Sequence, residues 1–104
     1  MNDDRAVDML NALAQNTRFR VFRLLMEKGS AGLPAGVIAE QLGVPQNTLS
    51  AHLNILSNAG LITATRMGRS LIYSVRIDRT KDFIEYLVVD CCSGHPEICS
   101  ISVS

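Results

Sequence analysis

Apolar residues recur at helical spacing near the start of the chain, where Val7, Leu10 and Leu13 predict a helix over Asp3 to Leu13. Asn16 or Thr17 suits the cap of a second helix, which carries Phe19, Phe22, Leu25 and Met26 inward and ends near Gly29. Ser30 to Ala35 reads as an irregular link with a brief strand around Leu33. Gly36 to Leu42 is a short helix with Val37, Ile38 and Leu42 apolar. Gly43-Val44-Pro45 breaks it, because glycine permits a tight turn and proline fits the first position of a new helix. That helix runs from about Pro45 to Asn58 and stops at Gly60. Leu61 to Thr65 and Leu71 to Ile77 have the β-branched content of strands, with Arg66-Met67-Gly68-Arg69-Ser70 as the hairpin tip between them. Asp78 or Thr80 suits the cap of a last helix reaching about Cys92, ended by Ser93-Gly94 and Pro96.

The order is helix, helix, helix–turn–helix, hairpin, helix. It predicts a mainly α fold with a small β-hairpin, a winged helix–turn–helix of order α-α-α-α-β-β-α. Residues 1–92 are expected to form that domain, and 93–104 a C-terminal tail. A chain of 104 residues with 47% apolar content fits one globular domain. Its core is thin for a lone monomer, which favours dimerisation. No apolar run is long enough to span a membrane. The acidic start, Met1-Asn2-Asp3-Asp4, has no apolar block after it and does not resemble a secretory signal, so a cytoplasmic location is expected.

Ten basic residues balance ten acidic ones, so net charge alone does not point to nucleic acid. The distribution does. No acidic residue lies between Gln41 and Ile77, where Arg66, Arg69 and Arg76 occur, and Arg18, Arg20, Arg23 and Lys28 are opposed only by Glu27. Such a chain can present one face to phosphate, although chance clustering gives the same pattern.

The helix after Pro45 carries the sharpest signal. On a helical wheel Leu49, Leu53 and Leu56 share one arc, opposite Gln46, Asn47, Ser50, Ala51, Asn54, Ser57 and Asn58. A merely solvated face ordinarily carries Glu and Lys, whereas Asn and Ser are poorer helix formers. Asn and Gln pair with adenine, Ser with several bases, and Ala touches a thymine methyl, so this face suits a major groove. The first turn of such a helix enters the groove, which favours Gln46, Asn47 and Ser50. His52, at the edge of the apolar arc, reads as a packed, hydrogen-bonded residue or as a phosphate contact. Arg66 and Arg69 on the hairpin suit a minor groove or its phosphates, the alternative being a solvated turn.

Several stretches resemble one family. Ala12-Leu13-Ala14-Gln15-Asn16-Thr17-Arg18, then Ile38 through Leu53, Leu56-Ser57-Asn58-Ala59-Gly60-Leu61-Ile62 and the Gly68-Arg69 turn are together similar to the ArsR family of bacterial repressors. The resemblance implies a homodimer built on the first and last helices, where Val7, Leu10, Ile84, Leu87 and Val88 would form the interface. It implies double-stranded operator DNA, an imperfect palindrome, as partner, with Gln46, Asn47, Ser50, Ala51, Asn54, Arg66, Arg69 and Arg18 as contacts. It also implies release by a metal, a metalloid or a redox signal. Pro45 and Asn47 depart from the family, where a capping Ser and a Pro respectively are common.

All three cysteines, Cys91, Cys92 and Cys99, lie near the end. Adjacent Cα atoms ~3.8 Å apart are too close for a relaxed disulfide, which needs ~4.4–6.8 Å. The pair can instead grip one soft atom, and the turn Ser93-Gly94-His95-Pro96 can bring Cys99 back to it. Three thiolates suit trivalent arsenic, and similarly antimony(III). Zinc prefers four ligands, with His95 as the fourth. The arsenic-binding Cys pair that many family members carry before the recognition helix is absent from Leu33 to Ile38, and the chain resembles instead a subgroup with a vicinal pair and a third Cys beyond the last helix. The expected function is an arsenic-responsive repressor. A thiol redox or persulfide switch, then a zinc response, are the alternatives, and Cys91 alone also fits a core or interface position. With no Cys-x-x-Cys, no phosphate-cradling loop and no paired carboxylates, neither catalysis nor an organic cofactor is expected. A purely protein-binding winged helix is the remaining class.

Overall fold

A computed structural model describes residues 1–90 and residue 97. The first helix, α1 (Asp3–Leu13), starts where Asn2 accepts a hydrogen bond from the Arg5 N–H at 2.9 Å, with Asp3 and Asp4 at the positive end of the helix dipole. It buries Ala6, Met9 and Ala12. Val7 and Leu10, expected at an interface, are 51% and 45% exposed. The second helix, α2 (Asn16–Lys28), is capped by Gln15 rather than by Asn16 or Thr17. Gln15 Oε1 accepts from the Arg18 N–H at 2.8 Å, a job its longer side chain performs one position earlier. This helix buries Val21, Phe22 and Leu25. Phe19 and Met26, expected inside, are 46% and 42% exposed because they lie about 100° round the helix from the centre of the buried arc.

A short turn, Gly29–Ala31, leads through Gly32 to the strand β1 (Leu33–Pro34). Gly32 has φ +66°, and a Cβ there would run into the Tyr73 carbonyl oxygen, so only glycine lets the link lie against the sheet. Next comes α3 (Ala35–Leu42), which ends at Gly43 in the left-handed conformation, its N–H meeting the carbonyls of Ala39 and Glu40. After the turn, α4 spans Gln46–Asn58, and the chain leaves it through Gly60 with φ +84°. Two strands, β2 (Ile62–Met67) and β3 (Ser70–Val75), pair antiparallel from Ile62↔Val75 to Met67↔Ser70. β1 adds to the other edge of β3 through Leu33↔Tyr73, giving the order β1-β3-β2.

The last helix, α5 (Ile77–Glu85), continues into a wider π-type turn over Tyr86–Asp90. It begins right after Arg76, and neither Asp78 nor Thr80 caps it. Thr80 is already inside the helix and buried, its N–H bonded to the Arg76 carbonyl at 2.8 Å. The core sits where α2, α3 and α4 meet the base of the sheet, around Leu25, Ile38, Leu49, Leu53, Leu56, Leu61 and Ile62. The fold is thus mainly helical with a three-stranded antiparallel sheet, a winged helix–turn–helix. Among the described residues no helix is long and apolar enough to cross a membrane.

Candidate nucleic-acid interface

Three leucines fix the orientation of α4. Leu49, Leu53 and Leu56 are each at most 1% exposed, so the opposite face must point away from the body. Gln46, Asn47, Ser50, Ala51, Asn54 and Asn58 are all exposed, and Ser57 is half-buried. The face carries no formal charge and no acidic residue in its first turn. Pro45 is the residue before the helix and has no side chain to cap it. Asn47 Oδ1 accepts the Thr48 N–H at 3.0 Å, and the Ser50 hydroxyl donates to the Gln46 carbonyl at 3.2 Å. The N-terminal end of α4 is the positive end of its dipole, edged with short polar side chains.

The hairpin forms a second projection. Beyond Ile62, every residue of β2 is exposed, whereas Tyr73 on β3 still packs against the core. Gly68, at φ +65° and with open space around its Cα, makes the two-residue turn with Arg69. Arg69 in that turn and Arg66 on β2 both stand exposed, and Met67, the last residue of β2, is 65% exposed.

Arg18 sits elsewhere. Its Nε donates to the Ala12 carbonyl at 2.6 Å, and its Nη2 to the Asn11 carbonyl at 3.4 Å. Its Nη1 lies 3.4 Å from His52 Nδ1. A guanidinium only donates, so in this contact Nδ1 is the acceptor. The half-buried Arg18 thus closes the carbonyl end of α1 and ties it to α4, and His52 is the packed, hydrogen-bonded residue. Arg20 does the same at α3, donating from Nη2 to the Leu42 carbonyl at 3.3 Å beside the turn. Sequence reasoning had no access to these clamps. The one visible signal was the cluster of arginines just after a helix end, and cations favour the free carbonyls there.

Residues 13–64, half of the chain, match the model of a helix-turn-helix domain family. The chain is 35% identical over 82 residues to an HTH-type transcriptional regulator of Methanocaldococcus jannaschii, covering 79% of this chain and 90% of that one. It is 32% identical to the transcriptional repressor SdpR of Bacillus subtilis, covering 78% and 87%. It is 29% identical to a probable mercury resistance operon repressor of Streptomyces lividans, covering 89% and 79%. An ArsR-like transcriptional regulator from Rhodococcus superposes with TM-score 0.74 at 23% identity, covering 86% and 82%. The homodimeric winged helix-turn-helix DNA-binding domain of Mb0332 from Mycobacterium bovis, a possible ArsR-family regulator, superposes with TM-score 0.68 at 26% identity, covering 88% of each.

The chain belongs to the ArsR family. It is a DNA-binding transcriptional regulator of that family and not an enzyme.

In this ArsR-family chain both outer helices carry exposed apolar residues. Val7 and Leu10 on α1, and Ile84 on α5 at 45%, are exposed, as is Val89 at 60%, while Leu87 and Val88 are half-buried. The Tyr86 hydroxyl donates to the Asp3 carboxylate, which brings the start of α1 against the end of α5. The continuation of α5 reaches Asp90, the residue before the vicinal cysteines. Cys91, Cys92 and Cys99 lie outside the described residues. Among the described residues no three His, Cys, Asp or Glu side chains form a group that could hold a metal ion.

Proposed function

We propose that the chain is a dimeric repressor whose grip on operator DNA is released by trivalent arsenic, or antimony, bound to Cys91, Cys92 and Cys99. The observation that carries the reading is the order along the chain: Cys91 and Cys92 come directly after the continuation of α5 at Asp90, with Cys99 close behind, and Tyr86 in that continuation bonds to Asp3 at the start of α1. The uncharged Gln46–Asn54 face of α4 would read base edges in the major groove, with Arg66 and Arg69 on flanking phosphates or in the minor groove. Two such faces, related by a twofold axis through α1 and α5, would meet half-sites about one helical turn apart on an imperfect palindrome. The Streptomyces relative named for mercury resistance supports a soft, thiophilic inducer.

Arsenous acid exchanges its hydroxyls for protein thiols with loss of water, so capture needs no oxidant. Drawing Cys99 back to the vicinal pair would change the end of α5 and with it the spacing of the two reading heads. The test is fluorescence anisotropy of the reduced chain on an operator selected in vitro. Arsenite is expected to weaken binding by ~5- to 150-fold, the usual range of such coupling. Cys92→Ser and Cys99→Ser should stay bound. Release of the triple Cys→Ser variant by arsenite would sink the reading, and release by peroxide or persulfide with no arsenite response would replace it with the thiol-redox one.

A further inference from the structure

A second site lies away from the reading helix. A cavity of about 420 Å³ opens between the end of α2, the end of β3 and α5. That volume is in the range of small-molecule sites, ~300–1,000 Å³. Met26, Val75, Ile77 and Ile84 give it apolar walls, and Thr80 is part of its lining.

Thr80 is the anomaly. It is 4% exposed, and its buried Oγ1 has no hydrogen-bond partner. A helical threonine hydroxyl ordinarily finds the carbonyl one turn back. Here the Arg76 carbonyl takes the Thr80 N–H, as helical carbonyls do, but the hydroxyl makes no second bond to it. A valine would pack as well at that point without burying an unmatched polar group. Native proteins leave few such groups, and each calls for a missing partner.

We infer that this cavity binds a small, largely apolar molecule carrying one hydroxyl, whose oxygen pairs with Thr80 Oγ1. Thr80 lines the cavity, so its hydroxyl is a polar group of the lining that has no protein partner. Lys81 and Glu85, also in the lining, offset one another, so the site favours a neutral ligand over an ionised one. The inference does not depend on the thiol reading.

The probe is 2-naphthol, a fused apolar ring with a single hydroxyl, titrated into the reduced full chain by calorimetry. Saturable binding of one molecule per chain is expected. Thr80→Val should weaken it about five- to tenfold, the effect of one lost hydrogen bond, while leaving the Tm unchanged or higher. Met26→Trp, at an exposed position that tolerates change, should fill the cavity and abolish binding. Four results overturn the inference. One is no saturable binding, and another is binding that Thr80→Val leaves intact. A lower Tm for Thr80→Val would show that the hydroxyl already has a partner. Affinity that rises when the chain is diluted to monomer would show that a second copy covers the cavity.

Discussion

Arg18 separates a structural role from a DNA-contacting one. Arg18→Ala removes one short, charge-assisted bond, Nε to the Ala12 carbonyl at 2.6 Å, and two long contacts at 3.4 Å to Asn11 and His52. Hydrogen bonds to charged groups contribute ~1.5–3 kcal/mol, and contacts beyond ~3.2 Å add little. Arg18 is half-buried, so solvent screens part of this, and the loss should be about 1.5–2 kcal/mol. At ~4–8 °C per kcal/mol for a domain this size, the Tm should fall by roughly 6–16 °C. Arg18→Lys should recover at most part of it, because one ammonium cannot hold two adjacent carbonyls as the planar fork does. The assay is thermal unfolding by circular dichroism at one fixed chain concentration, since association shifts the apparent Tm. In parallel, the slope of log affinity against log salt should be unchanged by Arg18→Ala and reduced by about one by Arg69→Ala. Wild-type stability for Arg18→Ala together with a shallower salt slope would refute the reasoning and return the guanidinium to a phosphate.

Other positions give sharp expectations. Asn54→Ala should leave the Tm unchanged while relaxing preference at one base pair by ~1–3 kcal/mol, measured by competition between operator variants; a uniform loss across all sequences would contradict base reading. Leu10→Glu and Ile84→Glu should each shift sedimentation from dimer toward monomer, because an acid replaces an apolar side chain of the proposed α1–α5 interface; a dimer that survives both would put the interface elsewhere. Gly43→Ala should cost about 1 kcal/mol, since only its left-handed backbone objects and no atom lies within 4 Å of the new Cβ. Gly32→Ala should cost clearly more in urea unfolding, because its Cβ meets the Tyr73 carbonyl and pushes β1 off β3; equal losses would contradict that packing.

The reading helix was legible because its signals agree. Gly43 and Pro45 mark the turn, three leucines set the phase, and the polar remainder falls on one face. The hairpin was equally plain from Gly68 between β-branched runs. Phase failed on α2, and on α1 too apolar residues occupy more than one stripe. Val7 and Leu10 have the spacing of a core stripe, yet Ala6, Met9 and Ala12 are inside. Small alanines let α1 lie close to the body, and periodicity cannot rank a buried stripe against one that a partner could cover. Phe19 misled by size: Val21 fills the core position, and Phe19 lies outside with the Arg23 guanidinium 5.9 Å from its ring. The arginine clamps were invisible because they join carbonyls set by tertiary packing. The basic cluster at Arg18 and Arg20 looked like a phosphate face, whereas both guanidinia reach helix ends.

The most direct test of the account is X-ray absorption at the arsenic edge on the reduced wild-type chain loaded with arsenite. A first shell made of three sulfurs, falling to two in Cys99→Ser, is the predicted result. A shell retaining oxygen in the wild type, or one that Cys99→Ser leaves unchanged, would contradict it.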